Sequence, residues 1–301
     1  MIAEPAEVRP LTRRAHEAVP DEGGTAFPEL LLYVGNACNR DCFFCCIEGS
    51  PDGWYGEFEQ DAPARILSLV EPEARIKLYG GEPTLSHGHV VWLIRGLRAA
   101  GYRGRVTVFS NGIQADHLIT ILEADPPSDT HAGSDCYLNP HIWEGRGVEP
   151  IPSGRRRMLE RWADQNPDRL WLSHDDVLPV GAAEDGTTRP DPEGDSEAPL
   201  PLPDEKPFGG RCARCWPTVR SDGRIHACAF AAEEASDRYT LGHLGDTSAE
   251  ALRSARDEFL RWIDNEIEPR ATAEGVLPCE VCVRSARAMT EAESSPKLPV
   301  L

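Results

Sequence analysis

The sequence has few positive charges and no long apolar segment. Its 31 Lys and Arg residues are outnumbered by 50 Asp and Glu residues, so the 301-residue chain has a formal net charge of −19 at pH 7. Since phosphate contacts need surfaces rich in Lys and Arg, this balance argues against non-specific binding to nucleic acid. No apolar run approaches the roughly 20 residues that cross a bilayer, and the acidic, proline-rich N-terminus is unlike a signal peptide. We therefore expect a soluble, cytoplasmic protein without nucleic-acid or membrane partners.

Disulfides are not expected, although the sequence contains ten cysteines. Cytoplasmic thiols stay reduced, so metal or cluster ligation is their expected use. Cys38, Cys42 and Cys45 follow the apolar segment 31–34 at the spacing C-x3-C-x2-C. Three thiolates on one short loop can hold three irons of a [4Fe–4S] cube and leave the fourth iron open to a small chelating molecule. A structural zinc site and buried core thiols are the alternatives.

Short apolar segments alternate with helical patterns in the first 180 residues. The predicted strands are Leu30–Val34, Arg75–Tyr79, Val106–Phe109, Cys136–Leu138 and Leu170–Leu172. The predicted helices include residues 61–70, opened by Asp61 and Pro63, residues 90–97 with an end at Gly101, residues 118–122 and residues 158–162. Repeated βα units of this kind indicate a parallel sheet with its chemistry at the C-terminal ends of the strands. Their number predicts an α/β fold with a partial, open (β/α)6 TIM-like barrel rather than the closed eight-stranded form.

Two short motifs follow strands of this pattern. Gly80-Gly81-Glu82-Pro83-Thr84 comes directly after the strand 75–79, and glycines there let a ligand approach the backbone closely. Ser110-Asn111-Gly112 follows the strand 106–109 in the same way. Each motif alone is equally compatible with an ordinary turn between a strand and a helix.

The cysteine spacing, the aromatic Phe44 before the third cysteine and the order of the later motifs resemble the radical S-adenosylmethionine (SAM) superfamily. The resemblance implies a partial barrel whose first cysteine set binds a [4Fe–4S] cluster, with SAM on the open iron. It also implies cofactor contacts from Phe44, Gly80, Gly81, Glu82, Ser110 and Asn111. An electron from a donor such as flavodoxin or ferredoxin would cleave SAM to a 5′-deoxyadenosyl radical, which removes a hydrogen atom from the substrate.

A second cysteine set lies near the C-terminus. Cys212 is followed by ten residues, Gly223, four residues and Cys228, and later by Cys279-x2-Cys282. This arrangement resembles the Twitch/SPASM extension of the same superfamily and implies one auxiliary [4Fe–4S] cluster that accepts an electron from the substrate radical. No cysteine follows Cys282, which favours the shorter Twitch form. Cys215 is a spare or alternative ligand, and a zinc ribbon of residues 212, 215, 279 and 282 remains the alternative.

Other residues have plainer interpretations. Cys46 and Cys136 are expected to be core thiols, and the run 155–157 of three arginines a solvated helix start. Residues 174–176, His-Asp-Asp, follow the fifth strand and are either substrate-facing or solvated. A hairpin around 221–223 and a capping box over Thr247–Glu250, opening a helix with an apolar face from Leu252 to Ile263, are expected between the C-terminal cysteines.

We therefore predict five segments: a disordered arm 1–27, a barrel core 28–180, an acidic and proline-rich linker 181–207, a small α+β cluster domain 208–290 and a tail 291–301. The expected function is radical SAM chemistry on a peptide or a natural product during its maturation. The alternatives are a dehydrogenase for a small molecule of the aminocyclitol or sugar type and, in another class, a zinc-stabilised binding protein.

Overall fold

The computed structural model of the protein describes residues 11–12, 26–42, 45–145, 148–173, 212, 217–231 and 237–294. Several predictions fall outside these residues: Phe44, Cys215, the His-Asp-Asp run at 174–176, the linker 181–207, and most of the arm 1–27 and the tail 291–301. The division of the chain into five segments therefore remains a prediction.

The described residues form eight strands and eight α-helices. The strands are β1 (Phe27–Tyr33), β2 (Val70–Tyr79), β3 (Val106–Ser110), β4 (Ser134–Leu138), β5 (Leu170–Leu172), β6 (Thr218–Arg220), β7 (Arg224–His226) and β8 (Thr240–His243). The helices are α1 (Ala62–Leu67), α2 (His87–Ala99), α3 (Ala115–Glu123), α4 (Pro140–Glu144), α5 (Ser153–Gln165), α6 (Ala249–Trp262), α7 (Glu268–Glu274) and α8 (Pro278–Ser294), with one π-helical turn at Ile263–Ile267. None of these helices is both long and apolar enough to cross a membrane.

All eight strands belong to one open sheet in the order β5-β4-β3-β2-β1-β6-β7-β8. The six strands from β5 to β6 are parallel, and β7 and β8 continue the sheet antiparallel. The predicted α/β fold with an open, partial barrel of parallel strands is thus confirmed. The sixth parallel strand, β6, lies beside β1 in the register Leu31↔Thr218 and Tyr33↔Arg220, although it comes from the predicted cluster domain.

Two local predictions differ from the structure. The helix predicted over 61–70 ends at Leu67, because Val70 pairs with Phe27 and starts β2. The predicted capping box over Thr247–Glu250 is wrong. The Ser248 hydroxyl caps α6 by accepting from the Ala251 amide, while the Thr247 hydroxyl oxygen accepts from the His243 amide.

The two faces of the parallel sheet differ in chemistry. Alternate residues such as Leu32, Leu78, Val108 and Cys136 belong to the apolar core together with the buried sides of α1, α2, α3 and α5. On the opposite face, β1 to β4 carry aromatic residues near their C-terminal ends, and these pair in register as Tyr33 with Tyr79 and Phe109 with Tyr137. Because successive side chains point to opposite faces, each strand separates the core from a second, chemically distinct surface.

One buried ion pair fixes the packing of α2 against the sheet. The Arg98 guanidinium donates to both carboxylate oxygens of Asp125, at 3.0 and 2.8 Å, and to the carbonyls of Tyr102, Gly104 and Gly133. Burial alone would raise the pKa of Asp125, but hydrogen bonds from Arg98 and Ser134 hold that pKa below its usual value. The pair therefore stabilises the fold only while the carboxylate is ionised.

Replacing Arg98 by Ala is expected to lower the free energy of unfolding by about 3–5 kcal/mol, because it leaves a buried carboxylate unpaired. The same change at the exposed Arg95 of α2 is the matched control and should cost less than about 0.5 kcal/mol. Urea titrations at several pH values provide the measurement. The contribution of the pair should be complete above the unfolded Asp pKa of about 3.9 and disappear as the pH falls through the lower folded pKa. A pH-independent difference between the parent and the Arg98→Ala variant would contradict this role.

Candidate cluster and cofactor site

The loop between β1 and α1 carries the first cysteine set and is folded back on itself. The Cys38 amide donates to the Ser50 carbonyl at 2.8 Å, and the Ala37 amide donates to the Trp54 carbonyl at 2.9 Å. The Gly49 amide donates to the Cys45 sulfur at 3.1 Å. These bonds fix the directions of the thiols before any metal is bound, and hydrogen bonds to ligand sulfurs are a means of tuning a cluster.

The predicted cofactor residues meet at one cavity at the C-terminal ends of the strands. The cavity has a volume of about 290 Å³. Its described wall contains Cys38, Cys42, Cys45, Gly80, Gly81, Ser110 and Asn111. Of the residues predicted to contact the cofactor, Phe44 lies outside the described residues and Glu82 is not part of the wall.

The two glycines allow two loops to approach each other. The Gly81 amide donates to the Gly35 carbonyl at 2.8 Å and the Glu82 amide to the Ala37 carbonyl at 2.8 Å. A β-carbon on Gly81 would lie 2.1 Å from the Ala37 oxygen, and one on Gly80, whose φ is +153°, would lie 2.4 Å from the Gly35 oxygen. The absence of side chains at Gly80 and Gly81 is thus required by the cysteine loop itself, in addition to any ligand.

Glu82 joins the ends of β2 and β3. One carboxylate oxygen accepts from the Thr84 amide at 3.0 Å, the Thr84 hydroxyl at 2.6 Å and the Ser110 hydroxyl at 2.9 Å. The other oxygen accepts from the Asn111 amide at 2.7 Å. Burial raises the pKa of Glu82 above its usual value, although these four hydrogen bonds act in the opposite direction. The side chain thus orients both motifs and does not itself face the cavity.

Asn111 connects the motif after β3 to the cysteine loop. Its side-chain amide donates to the side-chain oxygen Oδ1 of Asn39 at 2.7 Å and approaches the Cys38 sulfur at 3.7 Å. A donor at this position would lie beside a ligand sulfur of a bound cluster, where it would affect the reduction potential.

The donor set fits an iron–sulfur cluster. Burial, followed by the Glu82 charge and those of Cys42 and Cys45, raises the pKa of Cys38 to about 12, so its thiol stays protonated until a metal supplies positive charge. No three His, Cys, Asp or Glu side chains of the described residues converge at single-ion distance. The first three thiols instead line the wall of a cavity, which is how ligands of three separate irons need to be arranged.

The second cysteine set lies around the start of α8. Cys279 and Cys282 are three residues apart and therefore share one side of that helix. Cys228 follows β7, and the turn Ala229–Ala231 that comes next packs on α8. The Tyr239 hydroxyl donates to the Cys282 carbonyl at 2.7 Å. The Cys212 amide donates to Glu268 at 3.1 Å, at the start of α7.

Several wall residues were not predicted from the sequence. They include Cys46, Tyr79, Phe109, Tyr137, His141 and Phe230. Tyr79, Phe109 and Tyr137 could have been identified from strand alternation, because each is near the end of a strand on the face opposite the helices. His141 belongs to the short helix α4, whose signal is Asn139 at the N-cap and Pro140 at the first position. Cys46, predicted to be a core thiol, lies instead in this wall.

The comparisons with known proteins cover the chain unevenly, and no family model matches it. A stretch of 98 residues is 36% identical to the Probable GTP 3′,8-cyclase of Saccharolobus solfataricus, covering 31% of this chain and 30% of that protein. The corresponding protein of Saccharolobus islandicus (strain Y.N.15.51) is 34% identical over 95 residues, with the same coverage of 31% and 30%. The chain therefore matches less than a third of the length of these relatives.

Two solved structures share lower similarity over a longer range. BtrN in complex with AdoMet and 2-DOIA has a TM-score of 0.46 and 18% identity, covering 77% of this chain and 87% of that chain. Native anSMEcpe with bound AdoMet and a Cp18Cys peptide has a TM-score of 0.45 and 14% identity, covering 77% and 82%. At these values we draw no functional conclusion from either structure.

Replacing Glu82 by Gln is expected to lower the free energy of unfolding of the metal-free protein by about 1–3 kcal/mol. Each carboxylate oxygen accepts a backbone N–H, whereas an amide has only one oxygen, so the replacement sets an NH2 group against a buried N–H. Urea denaturation measures the effect. Replacing Thr84 by Val is the control and should cost less, because it removes a single hydroxyl donor. Equal free energies of unfolding for the parent and the Glu82→Gln variant would show that the carboxylate is not needed to hold the two motif loops together.

Proposed function

We propose that the chain is a radical SAM enzyme, which cleaves SAM reductively and removes a hydrogen atom from a substrate bound in the cavity described above. The observation that carries the proposal is the meeting of three motifs at one cavity: the first cysteine set, Gly80-Gly81 and Ser110-Asn111. The three motifs span more than 70 residues of sequence, from Cys38 to Asn111, and meet because they follow three neighbouring parallel strands at one edge of the sheet.

The cofactors are a [4Fe–4S] cluster and SAM, which supply a 5′-deoxyadenosyl radical when bound. Cys38, Cys42 and Cys45 would hold three irons, and the backbone at Gly80 and Gly81 would face the amino group of SAM. Ser110 and Asn111 would face its ribose and carboxylate. These residues would orient SAM and exclude side reactions. Glu82 would hold the Gly80-Gly81 and Ser110-Asn111 motifs in the positions that this requires.

The cavity favours an uncharged group of the substrate. Among its described wall residues none is Lys, Arg, Asp or Glu, and the strand ends contribute the rings of Tyr79, Phe109 and Tyr137. Apart from the cysteines, His141 is the one described wall residue whose side chain ordinarily titrates near neutral pH. The overall charge of −19 also repels polyanions. A nucleoside triphosphate, the substrate class that the name of the matched relatives suggests, is therefore a poor fit.

We propose a peptide or natural product as the substrate, presented to the cavity by an apolar or aromatic group. The cluster and SAM would fill much of the cavity of about 290 Å³, so only part of a larger substrate would enter it. Dehydrogenation of a small neutral metabolite is the second candidate, and the same uncharged wall favours it.

The second cysteine set would hold an auxiliary [4Fe–4S] cluster that accepts an electron from the substrate, so that the net reaction is an oxidation. An external one-electron donor such as flavodoxin or ferredoxin would serve the first cluster. The zinc-binding alternative predicts a different metal and no nucleoside release, which makes the two classes distinguishable.

Anaerobically reconstituted protein is expected to contain about eight irons per chain and to release 5′-deoxyadenosine when SAM and dithionite are added. Replacing Cys38, Cys42 and Cys45 together by Ala should abolish the release and leave about four irons. Iron and sulfide analysis with chromatography of the nucleoside provides the measurement. Zinc without iron or sulfide would overturn the proposal, and release by the triple variant would mean that the catalytic loop lies elsewhere.

Adding GTP is expected to leave the rate of 5′-deoxyadenosine release unchanged, because the described wall offers no cation for its phosphates. The same assay with cell-extract fractions separated by ultrafiltration should show faster release with the fraction that contains the substrate. Stimulation by the fraction above about 1 kDa would support a peptide, and stimulation below it the dehydrogenase. Consumption of GTP would contradict the uncharged substrate.

A further inference from the structure

Cys46 occupies the wall between the two cysteine sets. It lines the cavity that also contains Cys38, Cys42 and Cys45. On its other side it packs against the cluster of buried residues Leu277, Cys279 and Val283, which Phe230 also contacts. A thiol expected to serve as core packing thus lies against a group of residues that includes Cys279, a predicted ligand of the second cluster.

The electrostatic neighbours of Cys46 are also cysteines. Burial raises the pKa of the Cys46 thiol, and the nearby thiols of Cys45, Cys228 and Cys279 act in the same direction. Cys46 is therefore one member of a group of thiols drawn from three separate segments of the chain.

The fold explains why these segments meet. β6 pairs with β1, so the β6–β7 hairpin and Cys228 after it are carried to the side of the sheet where the cysteine loop begins. The Tyr79 hydroxyl then donates to the Ala229 carbonyl at 3.1 Å, which holds the turn after Cys228 against the end of β2. α8 packs on this turn and brings Cys279 to it.

We propose that Cys46 is an iron ligand of the auxiliary cluster, together with Cys228, Cys279 and Cys282. This inference rests on the proposed function, which supplies the cluster. A cube has four irons, so Cys46 would take the place predicted for Cys212. Thiolate sulfur is the ligand that such clusters require, and Cys46 is included because it packs against the buried group that contains Cys279, beside the turn that follows Cys228.

The assignment has a consequence for the two clusters. Cys45 and Cys46 are consecutive, and their α-carbons are about 3.8 Å apart across the peptide. Even with side chains pointing in opposite directions, their sulfurs can be no more than roughly 9 Å apart. The two clusters would then be neighbours joined by one peptide unit, and their unpaired electrons should interact when both are reduced.

The test uses the full chain in which Cys38, Cys42 and Cys45 are replaced by Ala, so that only the auxiliary cluster remains. Adding Cys46→Ala is expected to lower the iron content well below about four per chain or to change the electron paramagnetic resonance (EPR) spectrum of the reduced protein. Adding Cys46→Ser, whose oxygen can replace sulfur as a ligand, should retain more iron but shift the spectrum.

Adding Cys136→Ala instead is the matched control, because this cysteine is fully buried in β4 on the helix-packed face and does not line the cavity. It should leave the spectrum of the auxiliary cluster unchanged. Circular dichroism of each metal-free variant checks that it is folded. Serine keeps a side-chain atom in the place of the cysteine sulfur and alanine does not, so the Cys46→Ser variant separates loss of the sulfur from loss of packing. About four irons and an unchanged spectrum in both Cys46 variants would overturn the assignment.

The protein with all its cysteines separates this inference from the proposed function. If that protein binds about eight irons and releases 5′-deoxyadenosine, and the Cys46 variants change neither the iron content nor the EPR spectrum, only the ligand assignment fails. If the protein with all its cysteines binds no iron, the proposed function fails, and the ligand assignment fails with it. In the fully reduced protein, spectral broadening that disappears when the first cysteine set is removed supports neighbouring clusters, and additive spectra of two independent clusters contradict them.

Discussion

The buried carboxylate of Glu82 is the interaction on which the candidate site depends. It accepts hydrogen bonds from both motif loops and thereby fixes the end of β2 relative to the end of β3. The same charge contributes to raising the pKa of Cys38, so it opposes the thiolate that a cluster needs. Positive charge from bound iron would offset this effect, since it favours the Cys38 thiolate.

The sheet separates two environments that have different requirements. Its helix-covered face is an apolar core, whose packing stabilises the fold. Its other face is aromatic at the strand ends and carries a buried ion pair between Lys77 and Glu29, at 2.5 Å, further back. The charges that give the chain its acidity are absent from the described wall of the cavity. The core and the proposed substrate cavity thus use alternate residues of the same strands.

The position of β6 links the two cysteine sets. Because this strand pairs with β1 rather than β5, the C-terminal hairpin is continuous with the parallel sheet. The start of α8 and the turn after β7 are thereby held near the loop that carries Cys46. A cluster bound at the second set would then lie close to the cavity, a position suited to accepting an electron from a substrate bound there.

Local patterns in the sequence determined much of this protein. Strand alternation and helical spacing located the five βα strands and the buried side of α2, and the cysteine spacing with Gly80-Gly81 and Ser110-Asn111 located the cavity. Such patterns are visible because they repeat within one element or one turn. Only the tertiary structure decided that β6 lies beside β1, that Glu82 faces the motif loops instead of the cavity, that the glycines accommodate the cysteine loop and that Cys46 packs against the residues around Cys279. Each of these contacts joins segments of different elements, and their meeting depends on the order of strands in the sheet, which no local spacing encodes.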